Sequence, residues 1–79
     1  MQKQENPTYL KAITIRDISD IHSIKEDIKK EMILILRVTP LAQKDVEQLR
    51  KVVEELYSIA KTEGADIARL GEERIIVAP

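Results

Sequence analysis

The chain has 79 residues, with 13 Lys and Arg against 14 Asp and Glu, and a formal net charge of -1. This length accommodates one small domain, and the balanced charge excludes a protein whose affinity rests on neutralising the phosphates of nucleic acid. Because cysteine is absent, a disulfide framework, a thiolate zinc site and a cysteine nucleophile are excluded, and a reducing compartment is indicated.

The chain begins with a polar end and a first predicted strand. Residues 1–7 have no apolar period, which predicts a flexible N-terminal end before a domain over residues 8–79. The β-branched stretch "TYLKAITIR", residues 8–16, predicts the first strand.

A short amphipathic helix is predicted next. Asp17 or Ser19 suits its N-cap, since both side chains accept hydrogen bonds from free backbone N–H groups. Its apolar residues recur at spacings of three and four and form one face: Ile18, Ile21, Ile24 and Ile28.

The stretch "MILILRV", residues 32–38, predicts a second strand that is apolar on both faces. Its longer alternating set, Met32, Leu34, Leu36 and Val38, is expected to face the helices. Ile33 and Ile35 then face the other way, where a second copy of the chain is expected to cover them in a homodimer. The alternative is that these two residues lie on a partly exposed face, since exposed apolar residues are common.

The rest of the chain predicts a second helix and a β-hairpin. Thr39 with Pro40 marks the helix start and Gly64 its end. Two short strands follow, with Gly71 at the first central position of a tight turn. The predicted fold is therefore α/β, with two helices packed on one face of a small mixed sheet and a chain order of βαβαββ. The apolar stripe of the second helix consists of Val46, Leu49, Val53, Leu56 and Ile59.

No set of side chains has the pattern of a catalytic, cofactor or metal site, so we expect no enzyme. His22 is the only histidine, with no second histidine to share a metal and no cysteine to activate, so a helix-surface position is expected. Neither glycine lies between a strand and a helix start, which excludes a phosphate-binding loop. The acidic residues of the first helix could hold a hard cation, but capping and solvation account for them more simply: Asp17, Asp20, Glu26 and Asp27.

Basic residues of the second helix and the hairpin offer one candidate binding site. Arg50, Lys51, Arg69 and Arg74 could converge into a basic pocket for an acidic peptide, with scattered solubilising charge as the alternative.

The closing segment "GADIARLGEERIIVAP" resembles the end of the SepF family of cell-division proteins. Gly71, Ile75, Ile76 and Pro79 occupy the family pattern of a short strand, a glycine and a hydrophobic strand ending in proline. The helix "DVEQLRKVVEELYSIAKTEG" is similar to the second helix of the family, with Arg50 at its characteristic arginine.

This resemblance implies a cytoplasmic adaptor at the division site, on the inner face of the cell membrane. SepF-like proteins dimerise, bind the C-terminal tail of the tubulin-like division protein FtsZ and hold it to the membrane through an N-terminal amphipathic helix. The resemblance implies tail binding by Arg50, Arg69, Arg74 and Ile75.

The sequence departs from the bacterial family pattern at three places. Tyr57 and Ser58 stand where bacterial members have a helix glycine, which puts polymerisation through that helix in doubt and favours the archaeal branch. Ile75 replaces the usual aromatic residue of the last strand. Residues 1–6, "MQKQEN", have neither the length nor the apolar face of a membrane helix, so membrane attachment is expected from a segment absent from this chain.

Two further expectations concern function and habitat. The alternative function is a ferredoxin-like regulatory domain that binds a small ligand, because such domains also pair two helices with a mixed or antiparallel sheet. The abundance of Glu, Lys and Ile, without Trp or Phe, is typical of thermophile proteins.

Overall fold

The structure is a computed structural model that describes residues 9–79, and the predicted flexible end over 1–7 lies outside the described residues. A 3-10 turn at Ile18–Asp20 precedes the first helix. The elements are β1 (Leu10–Thr14), α1 (Ile21–Lys29), β2 (Ile33–Arg37), α2 (Thr39–Lys44), α3 (Val46–Glu63), β3 (Asp66–Leu70) and β4 (Arg74–Ala78).

The four strands form one mixed sheet in the order β1-β2-β4-β3. β1 runs parallel to β2, and β4 lies antiparallel to both β2 and β3. The predicted α/β class with a mixed sheet is confirmed. β1 and β3 are the edge strands, and this order places the final hairpin beside β2.

Asp17 caps the turn that leads into α1, as one of the two sequence alternatives proposed. Its carboxylate accepts a hydrogen bond from the Ser19 N–H at 3.1 Å, and the Asp20 carboxylate accepts one from the Asp17 N–H at 3.2 Å. The hydrogen bonds from the backbone and hydroxyl of Ser19, together with nearby Lys44, lower the pKa of Asp17. This reciprocal capping fixes the point at which the chain turns from β1 into α1.

The predicted single helix after β2 is wrong in one respect, because the chain forms two helices there. Asp45 is extended, with φ -162° and ψ 100°, and separates α2 from α3. Its carboxylate accepts a hydrogen bond from the Gln48 N–H at 3.1 Å, so it competes for a backbone donor and starts a new helix. Three helices therefore lie on the sheet instead of two. The predicted end of the second helix at Gly64 is confirmed by its left-handed φ of 74°.

The core lies between the helices and one face of the sheet. Leu34, Leu36 and Val38 have no exposed surface, which confirms that the longer set of the second strand faces the helices. Met32 is half-buried and packs against this core. The helices contribute these buried residues: Ile24, Ile28, Leu41, Val52, Leu56 and Ile59.

The hairpin turn is longer than a two-residue turn. Leu70 pairs with Arg74, so Gly71, Glu72 and Glu73 form the loop. Gly71 opens this loop with φ 69°, a left-handed conformation that costs glycine little because it has no Cβ.

Glu31, in the turn between α1 and β2, adopts φ 61°, which strains any residue that carries a Cβ. We expect Glu31→Gly to raise the free energy of unfolding by about 0.5–1 kcal/mol, since relief of this strain exceeds the greater chain entropy of glycine. Urea denaturation measures the change. Glu31→Ala is the matched control: it also removes the carboxylate but keeps the Cβ, so no gain is expected. An equal gain in both variants would assign the effect to the charge instead of the backbone.

Candidate functional site

An open groove lies between α3 and the edge strand β3. Its volume is about 250 Å³, with an apolar floor and a charged rim. Val46 on the floor is 68% exposed, a large uncovered fraction for a valine. The residues that line the groove are Val46, Leu49, Arg50, Val53, Glu54 and Arg69.

The periods of the two elements place these side chains together. On α3, residues three and four apart are neighbours, so Val46, Leu49 and Val53 follow one side of the helix. On β3, Arg69 pairs with Ile75 of β4, and Ile75 is a core residue. Because paired residues point to the same side of a sheet, Arg69 lies on the helix side and reaches the groove.

The two arginines of the groove differ in their partners. Arg50 lies 2.6 Å from a Glu47 oxygen and 3.6 Å from a Glu54 oxygen. The hydrogen bond from Arg50 to Glu47, and the charges of both glutamates, raise the pKa of Arg50. Over the described range 9–79, Arg69 takes part in none of the ion pairs. Arg69 is therefore the rim cation most able to accept an acidic partner.

Two of the four residues predicted for peptide binding are not at this groove. Arg74 lies on the opposite side of the sheet, because it precedes the core residue Ile75 in β4 and successive side chains of a strand alternate. Ile75 itself has no exposed surface and packs in the core, so its side chain does not line the groove. The structure brings together only Arg50 and Arg69, and Lys51 does not line the groove.

The other face of the sheet is apolar across its centre, carries Arg37 and Arg74 at one end, and is uncovered by the described helices. Ile35 pairs with Ile76 on one side and with Ala12 on the other, forming a row across the sheet. Ile33, Ile35 and Ile76 are half-buried in the monomer, and Leu10 and Leu70 on the same face are 65% and 55% exposed. Contiguous exposed apolar surface is a common feature of interaction sites.

The family model described as cell division protein SepF matches residues 10–79. The chain belongs to the SepF family. Among solved structures, it is similar to the SepF-like protein from Archaeoglobus fulgidus, with a TM-score of 0.84 and 24% identity, covering 91% of this chain and 86% of that one. It is also similar to the SepF-like protein from Pyrococcus furiosus, with a TM-score of 0.83 and 26% identity, covering 100% of this chain and 93% of that one. No curated protein matches.

These findings confirm the SepF resemblance, and the two archaeal relatives agree with the expected branch. The sequence does not predict the apolar floor of the groove in this SepF domain, because Val46, Leu49 and Val53 belong to the apolar stripe of the second helix and a stripe of this kind normally indicates core positions. One sequence signal does point to the groove. Val46 is the first residue of α3, directly after its cap Asp45, and a residue at a helix end has fewer neighbours to bury it.

The remaining polar candidates of the SepF domain have structural positions. His22 is exposed on α1. Asp27 is buried, and its carboxylate lies 2.9 Å from the Lys11 ammonium, which ties α1 to β1. Within residues 9–79, His and acidic side chains form no group of three or more suited to a metal ion. In the same part of the chain, no helix combines the length and apolar character needed to span a membrane.

Proposed function

We propose that this SepF-family domain is an adaptor that binds the C-terminal tail of FtsZ in the groove between α3 and β3. Two copies pair through the uncovered sheet face, and the dimer helps to hold FtsZ filaments at the cytoplasmic face of the membrane at the division site. The membrane contact belongs to an amphipathic helix, as the SepF resemblance implies, and not to the folded domain. The observation that carries the tail site is the open apolar groove with Arg69 and Arg50 on its rim.

The size and shape of the groove favour a peptide over a small-molecule ligand. Its volume of about 250 Å³ is below the usual range of roughly 300–1,000 Å³ for small-molecule sites, which also enclose most of the ligand. An open groove instead receives one or two apolar side chains from a chain that continues along the surface. The small, open shape of the groove therefore favours the peptide-binding adaptor over the ferredoxin-like regulator that binds a small ligand. Amino acids and nucleotides are accordingly expected to leave the melting temperature unchanged, because only ligands of the folded state raise it.

Charge and chain flexibility set the expected affinity. Acidic residues of the tail pair with Arg69. Arg50 contributes less, because it already forms ion pairs with Glu47 and Glu54. A flexible tail loses conformational entropy on docking, so micromolar affinity is expected from so small a site. Dimerisation offsets this weakness because one dimer engages two tails of the same filament.

Arg69→Glu is expected to weaken binding of the cognate FtsZ tail peptide by about tenfold or more, since it replaces a charge-assisted hydrogen bond with a repulsion. Isothermal titration calorimetry measures the dissociation constant. Lys51→Glu is the matched control, because it also reverses a basic charge beside the site, but on an exposed side of α3 that does not line the groove. Its effect is expected to stay within about twofold, well under the tenfold step that corresponds to 1.4 kcal/mol.

Three outcomes count against the proposal. Equal losses in the two variants would indicate a general charge effect, and a loss confined to Lys51→Glu would move the site to another side of α3. Failure of the unmodified domain to bind the tail would contradict the function itself. Light scattering on each variant establishes that the association state is unchanged, so that the titrations compare equal numbers of sites.

A further inference from the structure

β3 has one unpaired edge next to the groove. It lies at the end of the sheet and pairs only with β4 among the strands of the described chain. The backbone N–H and C=O groups along its outer edge therefore have no strand partner in residues 9–79. Such an edge is a template for an added strand from another chain.

The helix side of this edge leads directly into the groove. Ile67 pairs with Val77 and Arg69 with Ile75, so both side chains of β3 point toward α3. A chain paired to the outer edge of β3 directs every second side chain to the same side, toward Val46, Leu49 and Val53. One bound segment can therefore form main-chain hydrogen bonds with β3 and place its apolar side chains in the groove.

The side-chain spacing of a strand is similar to the rise of one helical turn. Residues i and i+2 of a strand are about 6.8 Å apart, and one turn of α3 advances by about 5.4 Å. Where an added strand runs alongside α3, two apolar side chains at i and i+2 can each meet a successive turn of the helix. A carboxylate near them meets Arg69 on the rim.

The other sheet edge lacks these features. Lys11 of β1 pairs with the core residue Leu34, which places its side chain on the helix side. There it forms the 2.9 Å ion pair with Asp27 of α1. A strand added at β1 would need an open groove on the helix side of the sheet, but the Lys11–Asp27 ion pair lies there. The two edges of the sheet are therefore not equivalent.

We propose that the bound segment docks as an additional β-strand on the outer edge of β3, with apolar residues at i and i+2 in the groove and an acidic residue at Arg69. This inference rests on the proposed function, since it specifies how the FtsZ tail is held. The occupant is an extended acidic-apolar peptide, and main-chain hydrogen bonds supply part of its affinity.

Backbone N-methylation of a synthetic cognate FtsZ tail peptide tests the inference, because a methyl group removes one main-chain donor and leaves the side chains intact. An added strand directs alternate N–H groups toward β3 and the others toward solvent. Within the bound segment we expect losses of about tenfold or more at every second position and little change between them. Calorimetric titration of each methylated peptide against the unmodified domain measures the dissociation constant for positions facing β3 and for positions facing solvent.

Amide hydrogen exchange of the domain gives an independent readout. Peptide binding is expected to slow exchange along Asp66–Leu70 while Leu10–Thr14, the matched edge strand, keeps its rate. Two results would overturn the added strand but leave the tail-binding function standing. In the first, the unmodified peptide binds but the affinity losses on N-methylation have no two-residue period. In the second, the peptide binds but hydrogen exchange along β3 is not slowed. Absence of saturable binding contradicts the proposed function and this inference together.

Discussion

Replacing Ile33 and Ile35 together with glutamate is expected to convert the protein into folded monomers. Both side chains lie on the uncovered face of β2, half-buried in the monomer, while Leu34 and Leu36 hold the core from the other face. In a two-fold dimer each substitution occurs twice, so four carboxylates enter one apolar interface. Their desolvation and mutual repulsion are expected to raise the dimer dissociation constant by on the order of a hundredfold or more.

Light scattering at several concentrations measures the association state, and circular dichroism shows whether the fold is retained. The matched control is His22→Glu with Ser23→Glu, which adds two carboxylates at exposed positions of α1. The control is expected to remain dimeric. A folded dimer of the Ile33→Glu, Ile35→Glu variant, or a monomeric unmodified domain, contradicts pairing through this face.

The elements that could be predicted are those encoded by local patterns. The alternation of "MILILRV" gave the correct inner set because the side-chain period of a strand depends only on its own backbone. Gly64 lies at the predicted helix end, and Asp17, one of the two predicted caps, caps the 3-10 turn that precedes α1, because capping chemistry is also local. Asp45 belongs to the same class, because its carboxylate caps α3 through the Gln48 N–H and separates α3 from α2 by a local interaction.

The groove could not be predicted because it depends on contacts between distant parts of the chain. Arg50 and Arg69 meet only because the sheet order places β3 at the edge, beside α3. The face of Ile75 was ambiguous for another reason: "RIIVA" offers apolar residues on both faces, so alternation alone does not show which isoleucine points inward. The register with Leu36 settles it, and places Arg74 away from the groove.

Ile75→Asp is expected to abolish the cooperatively folded state, whereas Ile76→Asp is expected to leave a folded domain. Ile75 has no exposed surface and pairs with Leu36 in the core, so aspartate there buries an unpaired carboxylate. That change costs several kcal/mol in addition to the lost apolar burial, against a total stability of about 5–15 kcal/mol for a typical domain and less for a small one. Thermal unfolding followed by circular dichroism measures the difference.

The two neighbouring isoleucines form a matched pair, because the substitution is the same and only the direction of the side chain differs. Ile76 is half-buried on the face proposed for the dimer and pairs with Ile35. Its aspartate variant is therefore expected to unfold cooperatively but to run as a monomer in light scattering, since the carboxylate reaches water once the second copy leaves. A stable fold for Ile75→Asp would contradict the register of β4. A folded dimer for Ile76→Asp would agree with that register but contradict the sheet face as the dimer interface. The Ile75 variant therefore tests the fold, and the Ile76 variant tests the proposed dimer.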